Sequence, residues 1–257
     1  MRRPARRWLG AGLMAAAALW LAGCAAGNPQ TVNGNAPPSI QQVQYYPYQV
    51  KGYQSSYPGR RILILLPTDT HRPPVQPGIT AMPYGGDVPI GSSEDTTGQV
   101  VLEFFGPPLG PIVQDALKQS AHEAGLISLT SPTSVYLPTK YLNVDYVMES
   151  RVTQFWVTKK VGPGGDAGPA WFTEADVDLD LTIYKPPFMV PFWQGGASAT
   201  YEDPPIDNPN ATPDDETAIY DQPGEVLSVA MTRAVASVFA RSDLHALVIG
   251  DQMTPRN

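Results

Sequence analysis

The chain has 257 residues, of which 17 are basic and 24 acidic, and its formal net charge is −7 at pH 7. An acidic chain of this kind is a poor candidate for binding nucleic acid or an anionic bilayer surface, because both would repel it. The 28 prolines and 23 glycines are too numerous for a helical bundle and indicate long loops between a modest number of elements.

The first 24 residues have the order of an export signal. Four arginines lie within residues 2–7, an apolar stretch covers 8–21, and small residues lead to the only cysteine. The ending Leu21-Ala22-Gly23-Cys24 resembles the bacterial lipobox, whose cysteine is alkylated by diacylglycerol and, after cleavage, acylated at its new amino terminus. The resemblance implies a mature chain that starts at Cys24 and is held on a membrane by several acyl chains. Cleavage would remove the four arginines and leave 13 basic residues against 24 acidic ones. With Cys24 acylated, no thiol would be left for a disulfide, a zinc site or catalysis.

Two other interpretations of this segment stay open. Residues 8–26 are just long enough for one uncleaved transmembrane helix, although no stop-transfer cluster of charges follows them. Cys24 is also compatible with an ordinary signal peptide. In the Gram-negative lipoproteins that the segment resembles, an aspartate after the cysteine usually means retention in the inner membrane. Ala25 at this position therefore favours the outer membrane. We therefore predict a lipid-anchored protein on the periplasmic face of that membrane.

Residues 25–59 predict a flexible tether. They are rich in Asn, Pro, Gln, Ser and Tyr, contain no acid and show no sustained apolar period. As a random coil the tether would span roughly 35 Å. We expect a signal peptide over 1–23, a lipidated linker over 24–59 and a periplasmic domain over 60–257. Five tyrosines leave open that the linker orders against a partner or against the domain itself: Tyr45, Tyr46, Tyr48, Tyr53 and Tyr57.

The domain is predicted to be α+β, with two helices packed on one face of a largely antiparallel sheet and a disordered tether before it. Apolar runs and alternation predict strands over 62–66, 100–105, 146–158, 171–184 and 193–201. Apolar stripes at helical spacing predict helices over 108–124 and 225–241. The polar insertion at 68–98 is expected to be a long loop or an element that orders on a partner, and the segment 204–215 is expected to be a loop.

One strand carries a candidate acidic face formed by Asp176, Asp178 and Asp180, which alternate with apolar residues. Alternate residues of a strand lie about 6.6 Å apart, so three carboxylates in this row are too spread for one calcium ion without help from loops. Arg151 on the neighbouring strand could face the row. We expect a solvated and partly compensated face, with a cation site or a basic-partner site as the alternative.

A second candidate surface is an apolar loop that prolines separate from the paired strands. Such a loop either caps the core or offers an exposed patch to a partner or an acyl chain. Its candidate residues are Phe188, Met189, Val190, Phe192 and Trp193.

No motif predicts catalysis. The three histidines, His71, His122 and His245, have no spacing that resembles a zinc site or a nucleophile motif. The glycines at 162–165 lack the lysine and following helix of a phosphate cradle and predict a hairpin turn. We therefore expect no catalytic residue, no metal site and no cofactor.

Three segments carry a resemblance to a known group of lipoproteins. They are 109–126, where Leu-Gly-Pro-Ile-Val-Gln-Asp-Ala-Leu precedes Glu-Ala-Gly-Leu; 146–157, with Thr-Gln-Phe-Trp; and 241–245, Arg-Ser-Asp-Leu-His. In this order behind a lipobox and a polar tether, they resemble the outer-membrane lipoproteins of the YajG type and the PqiC-like auxiliary lipoproteins of ABC-type lipid transport.

The resemblance implies a non-enzymatic periplasmic accessory of an envelope transport or assembly system, with intermembrane lipid transport favoured. Its expected partners are the membrane, through the N-terminal lipid, and an envelope protein complex. The alternatives are a carrier that binds phospholipid, and a regulator or structural subunit of a wall-synthesis or secretion complex. Likeness at the level of fold constrains function only weakly.

Overall fold

The computed structural model describes residues 39–47, 57, 59–71, 86–138, 140, 143–164, 168–187, 189–203 and 223–253. All of them belong to one compact unit, Pro37–Asn257. Cys24, Phe188 and much of the predicted linker and polar insertions lie outside the described residues. Within the described ranges, none of the helices combines the length and apolar character needed to cross a membrane.

The described residues form nine strands and three helices. The strands are β1 Ser39–Gln42, β2 Arg61–Ile64, β3 Thr68–Asp69, β4 Val88–Glu94, β5 Val100–Gly106, β6 Ile127–Thr130, β7 Tyr146–Gly164, β8 Gly168–Lys185 and β9 Val190–Glu202. The helices are α1 Leu109–Glu123, α2 Pro223–Phe239 and α3 Ser242–Met253.

All nine strands belong to one mixed sheet, and β7 organises it. One edge of β7 pairs antiparallel with β8 over most of its length, and β9 continues the sheet beyond β8. The other edge of β7 pairs parallel with three short strands in succession, β2, β3 and β4. Beyond these, β6 pairs parallel with β2, β5 antiparallel with β4, and β1 parallel with β5. Most pairings among the described strands are therefore parallel.

The predicted fold class is wrong in three respects. The sheet is mixed rather than largely antiparallel, because the parallel pairs join segments that are distant in sequence. The described residues contain a third helix, α3, directly after the predicted end of the second. Residues 39–47 and Tyr57, which the sequence assigned to a disordered tether, are part of the fold.

Helix α1 agrees with its predicted bounds to within one residue at each end. Pro108 precedes its first turn, and Gly125 follows its end in the left-handed conformation, with φ +91°. The amide of Gly125 donates to the carbonyl of His122, and the amide of Leu126 donates to the carbonyl of Ala121. This pair of bonds is the Schellman arrangement that ends helices at glycine.

The main core lies between the helices and one face of the sheet, which we call the inner face. Helix α2 contacts α1 and strands β7, β8 and β9, and α1 contacts β2, β3 and β6. Leu244 and Val248 of α3 join the same apolar cluster. A small second cluster of Leu63, Leu65 and Val147 lies on the opposite, outer face of the sheet.

The N-terminal segment is built into this core. Tyr45 is buried, and its ring centre lies 5.1 Å from that of Phe155, with the two rings tilted. Its hydroxyl donates a hydrogen bond to the carbonyl of Pro107. Tyr57 is fully buried, and its hydroxyl donates to the carbonyl of Phe239 at 3.1 Å. Of the alternatives left by the sequence, order against the domain itself therefore holds for these two tyrosines.

Candidate functional site

The acidic residues of β8 lie on the outer face, away from the helices. Val177, Leu179 and Leu181, which alternate with them, belong to the main core, so the carboxylates point to the other side. The register places Asp176 opposite Trp156 and Asp178 opposite Gln154 on β7. The predicted position of Arg151 is confirmed, because it lies directly opposite Asp180.

Strand β9 completes this face with small and uncharged side chains. Thr200 lies opposite Asp176, Ser198 opposite Asp178 and Gly196 opposite Asp180. All three β9 residues are exposed. An added Cβ at Gly196 would come no nearer than 3.6 Å to its closest neighbour, the carbonyl oxygen of Leu179. The short β9 side chains therefore leave the acidic row accessible from the β9 side.

A groove of about 320 Å³ crosses the three strands at one end of this row. The backbone of Ser150, Leu181 and Gly195 forms its floor, since the side chains next to them in each strand point to the outer face. Those outer side chains are Glu149, Arg151, Asp180, Thr182 and Gln194. Alternation along the sequence of β8 places Thr182 on the same face as the three aspartates. Gln194 was not predicted to take part, although alternation along 193–201 places it on the outer face.

The four carboxylates along β8 are neutralised unequally. Glu174 forms an ion pair with Lys160, with 2.8 Å between Oε2 and Nζ. Asp176 accepts a hydrogen bond from Thr200 at 2.6 Å. The carboxylate of Asp178 makes no hydrogen bond or ion pair with a described residue, and desolvation together with the charges of Asp176 and Asp180 raises its pKa.

The guanidinium of Arg151 forms no ion pair with any described carboxylate, including that of Asp180 across the strands. Arg151 and Asp180 are both exposed, and an exposed pair gains little from a fixed geometry. The charge of the outer face is thus only partly compensated by described residues, and no described residue donates to the carboxylates of Asp178 and Asp180.

A buried donor lies in the same face. Trp156 is only 5% exposed, and its Nε1 has no hydrogen-bond acceptor among the described residues. A buried donor without an acceptor costs about 1–3 kcal/mol. Ser92 and Glu103, on the neighbouring strands β4 and β5, also carry buried oxygens without a described partner, and burial raises the pKa of Glu103.

The apolar loop is mainly a cap of the core. Trp193 is 5% exposed, and Phe192 packs 5.1 Å from Tyr146. Met189 packs against the small cluster on the outer face, and Val190 is 59% exposed. Phe188, the fifth candidate of this surface, lies outside the described residues. The described part of this loop therefore presents one large apolar side chain to solvent, rather than a continuous patch.

An apolar cavity under α3 is too small to hold a ligand. A cavity of about 10 Å³ lies under α3, lined by residues that include Tyr57, Phe239 and Leu244. Sites for drug-sized ligands are about 300–1,000 Å³, so this cavity is far too small for an acyl chain.

Among the described residues, we searched the polar side chains that lie close together for a possible metal site. The described ranges contain no group of three or more His, Cys, Asp or Glu side chains that could hold a metal ion. His71 contacts Asp69 through Nδ1 at 2.5 Å and the carbonyl oxygen of Pro89 through Nε2 at 2.9 Å. This histidine fastens the end of β3 to β4, a role that its sequence context did not predict.

No protein-family model matches this chain, and no curated protein matches its sequence. Similar solved structures include a DUF330 protein from Xanthomonas campestris, 12% identical over 84% of this chain and 100% of that one, with a TM-score of 0.41. A candidate homologue of a neuraminyllactose-binding hemagglutinin from Helicobacter pylori is 9% identical over 79% and 97%, with a TM-score of 0.45. A candidate lipoprotein from Caulobacter crescentus is 9% identical over 65% and 93%, with a TM-score of 0.35. Likenesses at these TM-scores carry no argument about function.

Proposed function

We propose that this chain is a non-enzymatic, lipid-anchored accessory protein of a cell-envelope transport or assembly system, on the periplasmic face of the outer membrane. The observation that carries the proposal is the sequence Leu21-Ala22-Gly23-Cys24 behind a basic and then apolar leader. Intermembrane lipid transport is the favoured setting, on the resemblance of 109–126 and 146–157 to PqiC-like lipoproteins.

The position of β1 limits how far the domain can stand from the membrane. Fifteen residue steps separate Cys24 from Ser39, where β1 begins. A chain reaches at most about 3.6 Å per residue, so an anchor at Cys24 would hold β1 within about 54 Å of the bilayer. This reach is shorter than that of a linker ending at residue 59.

The described residues offer a surface that suits an adaptor. An adaptor needs an accessible surface, and the outer face of β7, β8 and β9 supplies one beside a groove of about 320 Å³. Anchoring raises the effective concentration of the two partners, so weak contacts at such a surface suffice.

The first test follows the anchor. The full chain is produced in a Gram-negative host, and its mature form is analysed by membrane fractionation and mass spectrometry. We expect a membrane-bound product that begins at Cys24 and carries acyl groups. Cys24→Ser should abolish the acyl mass and the membrane association, whereas Ala25→Ser, which keeps the cysteine, should behave like the parent. Unchanged partitioning of Cys24→Ser would refute the lipid anchor.

The second test examines which membrane holds the protein and whether the protein is an adaptor or a carrier. Ala25→Asp is expected to shift the protein from the outer to the inner membrane fraction. Protein extracted in mild detergent is then analysed for phospholipid. An adaptor should carry no stoichiometric phospholipid beyond its own anchor. One bound phospholipid per chain would mean that the protein is a carrier rather than an adaptor.

A further inference from the structure

The hairpin of β7 and β8 extends beyond the described strands that flank it. On one side the pairing of β7 with β4 ends at Lys159, and on the other side the pairing of β8 with β9 ends at Glu174. Beyond Lys159 the two strands stay paired with each other over five further positions. Five residues of antiparallel strand measure about 17 Å. We call this two-stranded projection, residues 160–164 and 168–172, the arm.

The arm carries apolar side chains that belong to neither apolar cluster of the domain. These are Val161, Trp171 and Phe172, all of them half-buried. Part of their cover comes from the hairpin itself. The ring of Phe172 lies over Gly162, where a Cβ would come within 2.6 Å of it. The ammonium of Lys159 lies 5.6 Å from the centre of the Trp171 ring. Val161 lies opposite Trp171, so the two side chains share one face of the arm.

The register places the start of β1 level with the base of the arm. One row of paired residues crosses four strands and consists of Ser39, Leu102, Ser93 and Lys159. Three strand spacings of about 4.8 Å place the ends of this row about 14 Å apart. Strand β1 runs antiparallel to β7, because β5 reverses direction relative to β4 and the other two pairings are parallel. Strand β1 therefore begins at the end of the sheet from which the arm projects.

The length of chain before β1 matches the length of the arm. Fifteen residue steps separate Cys24 from Ser39, and a random coil of this length spans roughly 21 Å. The arm reaches about 17 Å beyond the level of Ser39. A bilayer that holds Cys24 therefore lies within reach of the arm without stretching the chain between them.

The chemistry of the arm suits the interface of a bilayer better than a charged surface. Tryptophan is enriched where a bilayer meets water, because its ring is apolar and its N–H is polar. The stems of Lys159 and Lys160 can lie along apolar surface while their ammonium groups stay in water. Glu174 pairs with Lys160 at 2.8 Å, and Glu202 and Glu94 act on the same ammonium by charge. The base of the arm thus carries no excess of positive charge, so attraction to anionic lipid does not drive the contact.

We propose that the arm lies in the interfacial layer of the bilayer that holds Cys24, with Trp171 and Val161 in contact with acyl chains. The domain then has a second attachment beside its lipid anchor, and this attachment sets its orientation. The opposite end of the sheet, where β7 begins, points away from the bilayer. The inference deepens the proposed function and rests on it for the anchor at Cys24, because it makes the lipid surface a ligand of the folded domain itself.

The experiment attaches the domain to a bilayer without relying on acylation in cells. The mature chain has a single cysteine, so the thiol of Cys24 can be coupled to a maleimide phospholipid in phosphatidylcholine vesicles. Two of the five tryptophans precede Cys24, and of the other three, Trp156 and Trp193 are only 5% exposed. Phospholipids with bromine on their acyl chains quench tryptophan on contact. We expect brominated vesicles to remove part of the emission of the parent and none of the emission of Trp171→Phe, whose fold is checked by thermal unfolding.

The control places the reporter at the other end of the sheet. Ile127 on β6 is 46% exposed, and the register places it level with the residue that precedes β7. Ile127→Trp, made together with Trp171→Phe, should show no quenching. Absence of quenching at Trp171, or equal quenching at position 127, would overturn the proposal. High salt should leave the quenching of Trp171 unchanged, and its loss in high salt would mean that charge drives the contact and that the proposal is wrong.

This test and the test of the anchor fail separately, because coupling to the vesicle replaces the acyl chains. A chain that is not acylated in cells would still show quenching when coupled, whereas an acylated chain without quenching would keep its anchor and lose the proposed contact. Sedimentation of the uncoupled mature chain examines the other possible occupant. Dimers of the parent that dissociate in Trp171→Ser would overturn the proposal, because a second copy would then cover the arm.

Discussion

The indole Nε1 of Trp193 donates a hydrogen bond to Oδ2 of Asp243, with 3.0 Å between the two atoms. Asp243 also accepts from the guanidinium of Arg241, which in turn donates to the carbonyl oxygen of Gly196 at 3.0 Å. The cation lies 5.4 Å from the centre of the Trp193 ring. These contacts fasten the start of α3 to β9, and they bury the apolar body of a tryptophan that the sequence placed in a candidate docking loop.

Asp243→Ala is therefore expected to lower the Tm and to increase hydrogen exchange in α3, because Trp193 loses its acceptor and Arg241 loses its partner. The Tm of Asp243→Asn should fall between those of Asp243→Ala and the parent, since asparagine keeps an acceptor without the charge. Circular dichroism and amide exchange measure the two effects. Asp115→Ala, on the exposed side of α1, is the control, and a Tm drop as large in the control would contradict the argument.

Tyr57 gives the sharpest test that the predicted tether is part of the fold. Tyr57→Phe removes the hydroxyl that donates to the carbonyl of Phe239 and should cost about 1 kcal/mol in the free energy of unfolding. Tyr57→Ala also leaves a cavity in the core and should cost about 3–5 kcal/mol. Urea unfolding of the full mature chain measures both. Tyr46→Phe, at an exposed tyrosine of the same segment, should leave the midpoint of urea unfolding unchanged. An unchanged midpoint in Tyr57→Ala would contradict the burial of Tyr57.

The sequence predicted the elements whose pattern is local. The stripe that includes Val113 and Leu117, closed by Gly125, predicted α1 to within one residue at each end. Alternation around Asp178 predicted β8 and its wet face. The side-chain period of a strand is fixed by its own residues. The placement of Arg151 opposite Asp180 also depends on a register shift between Val152 and Gln154, because the register nearer the hairpin turn would place Arg151 opposite Leu181.

The rest depended on contacts between distant segments. Strand β4 contains Pro89 and Gly91 and reads as loop, yet it is held between β5 and β7, with a register irregularity at those two residues. Alternation does not report strand direction, so it could not reveal the parallel pairs. The polar segment around Tyr45 becomes ordered because the core supplies Phe155 and the carbonyl of Pro107 as its partners. The groove requires Thr182 and Gln194 on different strands, which only the register brings together.

Gly224 is the place where the N-terminal segment crosses α2. A Cβ built there would overlap the carbonyl oxygen of Gln44 and lie 2.9 Å from a methyl of Val43. Gly224→Ala should therefore displace residues 43–47 and lower the Tm, although alanine favours helix. Gly196→Ala is the matched control, because its nearest neighbour would be 3.6 Å away. Limited proteolysis near β1 together with thermal unfolding measures the effect, and equal behaviour of the two variants would contradict the close crossing.

His71 should make the stability of the fold depend on pH. Burial acts to lower its pKa, but the hydrogen bond to Asp69, the bond to the carbonyl of Pro89 and the charge of Asp69 outweigh it and raise the pKa above 6.5. Both ring nitrogens face acceptors, so the doubly protonated ring fits the site best. A raised folded-state pKa stabilises the fold fully below the unfolded-state value near 6.5, and this contribution is lost as pH rises through the folded-state pKa.

The measurement is the free energy of unfolding between about pH 5 and pH 9 for the parent, His71→Gln and His122→Gln, with ordinary histidine titrating near 6.5. The parent should lose stability relative to His71→Gln as pH rises across this window, at about 1.4 kcal/mol for each unit by which the folded-state pKa exceeds the unfolded one. His122 is exposed on α1, so its variant should follow the parent curve. A constant difference between the parent and His71→Gln at every pH would mean that the imidazole is held neutral, with Nδ1 or Nε2 facing its acceptor without a proton.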